Sequence, residues 1–184
     1  METVVAFGAA AAFAGAALLL SVFFATSDRR FDRVAEWAFV AFAGFAIALA
    51  LVVRQRLEPE TGEVVLVTSL GIAGVAVLGV LELLSTLGRI DFRRYGISAA
   101  LGFAAWLLWI AGVSALGLAR GTLPVGLGWL GLAAVAASLI VVARFATDRA
   151  LIRAERAPGL AEMAPLLAVF VGIVAWLVWL GLML

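Results

Sequence analysis

One carboxylate, Glu82, lies inside a long apolar run, and Ser85, Thr86 and Arg89 follow it at i+3, i+4 and i+7. If the segment is helical, that spacing puts all four side chains on one face. Arg89 ends the run about 10 Å further along the helix axis, so Glu82 would sit roughly a third of the way into a bilayer. A carboxylate at that depth costs a few kcal/mol and needs partners or water. Its natural chemistry is that of a protonatable group lining a cytoplasm-facing vestibule, as in an ion or substrate pathway. The competing reading is structural, an interhelical hydrogen bond or ion pair with Arg144 at the same depth on a fifth helix. Glu36 joins the set at the same membrane face, where it would begin the second helix and complement its N-terminus.

What is missing from the chain narrows the chemistry further. The sequence has no His, no Cys, no Lys and no Asn. The usual ligands of haem, zinc, copper and iron–sulfur clusters are therefore absent, and no metal or cofactor is expected. A thiol nucleophile, a lysine Schiff base and Ser–His or Cys–His hydrolase pairs are excluded on the same grounds. No P-loop, dinucleotide-binding glycine motif or paired catalytic acids occur, so the chain reads as a non-enzyme. The basic loops are short and nearly free of aromatics, which argues against nucleic-acid binding.

The elements that would position these residues are membrane spans. Of 184 residues, 66% are hydrophobic and 14% charged, far from the balance of a soluble domain. Apolar runs of about twenty residues, the length that crosses a hydrocarbon core, fall at 4–24, 34–53, 64–87, 97–118, 125–143 and 163–184. The expected fold is all-α: a polytopic integral membrane protein of six transmembrane helices in one compact bundle over 1–184. The fifth helix is expected to continue through Arg156, because no breaker precedes Pro158–Gly159, and Pro165 suits the first turn of the sixth.

Arginine placement sets the expected orientation. Ten arginines lie in the first, third and fifth loops and three (Arg54, Arg56, Arg120) in the second and fourth. The positive-inside rule then puts the odd loops in the cytoplasm and both termini outside, in a plasma membrane. The ten could also bind anionic lipid headgroups. Thirteen arginines with no lysine suggest a GC-rich, prokaryotic genome.

Three even-numbered spans share an aromatic pair at i, i+3: Phe39/Phe42, Trp106/Trp109 and Trp176/Trp179. That pattern is compatible with three parallel helical hairpins, and the rings would either line a ligand cavity or fill gaps between helices. Small residues at four-residue spacing (Gly8/Ala12/Ala16, Gly44/Ala48, Ala111/Ala115, Ala133/Ala137) suit close helix approach. Two functions fit these features. The first is a small transporter or channel-like protein using the Glu82 face. The second is a non-catalytic accessory subunit that packs into a larger membrane complex or a homo-oligomer.

Overall fold

The computed structural model describes residues 2–26, 29–57, 61–89, 92–147 and 160–184. Among them the chain is all-helical: α1 Glu2–Thr26, α2 Arg29–Arg56, α3 Gly62–Thr86, α4 Phe92–Arg120, α5 Val125–Thr147 and α6 Leu160–Met183. Four helices carry windows long and apolar enough to cross a membrane: Glu2–Leu19, Val34–Arg56, Gly62–Thr86 and Leu101–Arg120. Shorter apolar stretches, Val125–Val141 and Leu167–Met183, lie in α5 and α6. The expected continuation of α5 through Arg156 falls beyond Thr147, outside the described residues.

The helices outrun their apolar cores because the flanking charged residues are themselves good helix formers. Thus α2 starts at Arg29 and α4 at Phe92, each five residues before the expected span. Glycines in the left-handed region stop α3 and α4. Gly88 (φ 65°) follows α3, and Gly121 (φ 66°) follows α4. At the first, the Arg89 N–H donates to Leu84 O at 2.8 Å; at the second, the Thr122 N–H donates to Gly117 O at 3.0 Å. Such bonds satisfy carbonyls that a helix end leaves open.

Each helix packs on its chain neighbours, and α6 returns to α1, so the six close into a cycle. The α1–α2 and α3–α4 pairs are the most extensive, whereas α6 packs more on α1 than on α5 among the described residues. One buried cluster, with members from all six helices, fills the interior. Its centre is aromatic. Phe13 of α1 lies 5.0 Å from Phe42, 5.3 Å from Trp106 and 5.2 Å from Phe170, measured between ring centroids. Trp109 and Trp176 meet edge to face at 5.9 Å. Of the expected aromatic pairs, Phe42, Trp106, Trp109 and Trp176 are buried, and Trp179 stands 39% exposed.

Small residues also bring backbones together at positions the four-residue spacing does not single out. Between α3 and α4, an added Cβ at Gly74 would lie 2.7 Å from Gly102 O, and one at Gly102 would lie 2.9 Å from Gly74 O. Gly44, by contrast, faces outward with nothing within 4 Å of where its Cβ would be. Spacing identifies a face that permits close approach, but only the neighbouring helix decides whether that face is used.

Candidate functional site

The polar residues singled out by spacing gather where the C-terminal part of α3 packs on the N-terminal part of α2. Glu82 is only 5% exposed. One turn later the Ser85 hydroxyl donates to Glu36 Oε1 at 2.8 Å, linking the two helices. Half-buried Glu36 thus faces Ser85 across the helix pair, and Glu82 is buried one turn before Ser85 on α3.

The other members of the set are placed differently. Thr86 Oγ1 donates to the Glu82 carbonyl at 2.8 Å, the i−4 bond by which a helical hydroxyl satisfies itself inside its own helix. Arg89 does not continue the Glu82 face. The helix ends at Thr86 and the chain turns at Gly88, leaving Arg89 exposed and outside regular helix. The backbone of Arg144 belongs to α5, and its side chain lies outside the described part of the structure. Glu36 also differs from expectation. Because α2 starts at Arg29, Glu36 sits two turns inside the helix, where it accepts from Ser85 instead of complementing a helix start. Ser85 and Glu36 are therefore brought into contact, with Glu82 buried one turn away on α3.

Carboxylates held between apolar helices can take up and release a proton, and the serine hydroxyl can pass a hydrogen bond between the helices. No nucleophile–base pair accompanies them among the described residues.

The opposite end of the helices carries a polar arrangement that the sequence presents only as an orientation signal. Arg120, at the end of α4, donates to Leu57 O at 3.0 Å, to Thr61 Oγ1 at 3.2 Å and to Glu63 Oε2 at 3.2 Å. It thereby clasps the α2–α3 connection. Arg56, at the end of α2, pairs with Glu2 Oε2 at 2.6 Å and donates to Leu184 O at 3.0 Å, tying together both chain ends. The nearby cluster of Glu58, Glu60 and Glu63 was the available sign that arginines here would be paired. Which arginine meets which acid depends on how α1 packs on α2 and α3 on α4. Neither protein-family models, nor curated proteins, nor solved structures match this chain.

Proposed function

We propose that the chain is a six-span membrane protein with both termini outside, acting as a small transporter or channel-like protein for protons or a proton-coupled solute. The observation that carries this reading is the burial of Glu82 at 5% exposure within an apolar helix, beside the Ser85–Glu36 bond. A carboxylate is retained in such a place at a cost of a few kcal/mol, which function would explain. The arginine asymmetry supports the orientation, with ten arginines at the Glu82 end and three at the opposite end. On that orientation the Glu82 seam faces the cytoplasm. The Arg loops there meet anionic lipid.

The test is proton flux in proteoliposomes carrying an internal pH dye, driven by a potassium diffusion potential. Wild-type protein should acidify the lumen faster than protein-free vesicles, and Glu82→Gln should remove most of that excess while eluting from size exclusion like wild type. Equal flux from both proteins would take Glu82 out of the mechanism.

A second reading, a non-catalytic subunit of a larger membrane complex, draws on the filled interior. Phe13, Phe42, Trp106 and Trp176 occupy the centre of the cycle where a pathway would otherwise run. Native mass spectrometry of protein extracted gently from its own membrane separates the two, because a stoichiometric partner protein favours the subunit.

A further inference from the structure

An apolar groove of about 380 Å³ runs along the surface between α1 and α6. Ala17, which lines it, is buried, and the Phe170 ring packs inward on Phe13 at 5.2 Å between centroids. Leu18 and Val171 form exposed rims. The groove exists because α1 presents the alanines Ala14 and Ala17 to the branched side chains of α6. A Cβ added at neighbouring Gly15 would meet nothing within 4 Å, so α1 is bare on this side as well.

The dimensions select the occupant. On α6 the lining extends from Leu167 to Val178, about 17 Å along the helix axis. A void of about 380 Å³ over that length is about 5 Å across. An α-helix with its side chains is about 10–12 Å wide, so a helix of a second copy cannot sink into it. A single hydrocarbon chain can, since its carbons pack about 4 Å from their neighbours. The length is also right, because one leaflet supplies half of a hydrocarbon core of roughly 30 Å. Every lining residue is Ala, Leu, Val or Phe, so the groove itself recognises no polar group.

Charge at the helix ends selects the headgroup. Leu18 lies about 12 Å before the end of α1 at Thr26, and Leu167 about 10 Å after the start of α6 at Leu160. Just beyond Thr26 the chain enters α2 with Arg29, exposed Arg30 and Arg33. This end of the bundle carries ten arginines against seven acids. The opposite end carries three arginines against Glu2, Glu58, Glu60 and Glu63. An anionic headgroup is attracted to the first end and repelled by the second.

We propose that the α1–α6 groove holds one acyl chain of an anionic glycerophospholipid whose headgroup meets the arginine end of the bundle at Arg29 and Arg30. This gives the lipid contact of the arginine loops a defined seat for the chain. It holds whichever side of the membrane those loops face and whatever Glu82 does.

The experiment is native mass spectrometry of the full-length protein, delipidated in detergent and titrated separately with dioleoylphosphatidylglycerol and dioleoylphosphatidylcholine. Wild type should take up one phosphatidylglycerol saturably, at least about fivefold more tightly than phosphatidylcholine, the worth of one arginine at a lipid surface. Val171→Trp sets an indole across the groove from an exposed rim and should weaken phosphatidylglycerol binding at least about tenfold, the equivalent of losing two buried methylenes. Leu139→Trp, on an exposed position of α5, should leave it unchanged. Arg29→Gln combined with Arg30→Gln should narrow the gap between the two lipids without weakening phosphatidylcholine binding. Equal binding of the two lipids by wild type, or phosphatidylglycerol binding by Val171→Trp at wild-type strength, overturns the proposal. So does a gap that the arginine variant leaves intact, or a protein dimer that forms only when lipid leaves. If Val171→Trp fails to fold, Val171→Phe decides by the same comparison.

Discussion

Substituting Gly74 and Gly44 by alanine makes the same chemical change with opposite expected signs. At Gly74 the new Cβ would lie 2.7 Å from the Ala105 Cβ, 2.7 Å from Gly102 O and 3.0 Å from Trp106 N. Two of those three atoms are backbone, so no rotamer change relieves the crowding, and α3 and α4 must move apart. Overpacking of this kind costs about 1–3 kcal/mol, and alanine returns up to about 1 kcal/mol in helix propensity. The net expectation for Gly74→Ala is a loss of about 1–2 kcal/mol. At Gly44 no atom lies within 4 Å of the new Cβ, so only the propensity term acts. Gly44→Ala should be neutral or stabilising by up to about 1 kcal/mol. The assay is unfolding by SDS titration in mixed micelles, followed by the fluorescence of the six tryptophans. Pairing Gly74→Ala with Gly102→Ala should cost less than the sum of the two, since one separation of the helices relieves both. Equal destabilisation at positions 44 and 74 would refute the α3–α4 close approach.

Arg120→Gln should cost about 2 kcal/mol in the same titration, because it strips a charged donor from the carbonyl of buried Leu57. Arg56→Gln breaks a more exposed pair, with side-chain exposures of 56% and 38%, and should cost less than about 1 kcal/mol. A larger loss at Arg56 than at Arg120 would reverse that ranking of the two clasps. Ser85→Ala should cost about 1 kcal/mol by removing the bond to Glu36 and should slow proteoliposome proton flux without abolishing it. Flux at the wild-type rate would mean that the Ser85–Glu36 link has no part in the pathway.

Much of the candidate site was legible because it depends on local spacing. Glu82 is conspicuous as a carboxylate in an apolar run, and i+3 periodicity alone puts Ser85 beside it. Arg89 was misplaced because the spacing argument assumes an uninterrupted helix, whereas α3 ends at Thr86 and the chain turns at Gly88 in the left-handed region before reaching it. Glu36 was read as a helix-start residue because hydropathy marks where an apolar run begins, whereas helix propensity carries α2 back to Arg29. The partner that Ser85 meets 49 positions away could not be read from either segment alone.

The sequence by itself determined the helical class, the lengths of the apolar runs, the absence of His, Cys and Lys chemistry, and the uneven distribution of arginine. These follow from composition and one-dimensional periodicity, which no packing arrangement can alter. Only the tertiary structure decided which small residues are contact points, which arginines clasp which acids, and that three tryptophans and Ser114 turn unpartnered donors inward. Those outcomes depend on how each helix is rotated about its axis and on which neighbours it packs against. In an almost uniformly apolar helix the hydrophobic pattern hardly distinguishes one face from another, so rotation is settled by side-chain shape against the neighbouring helices.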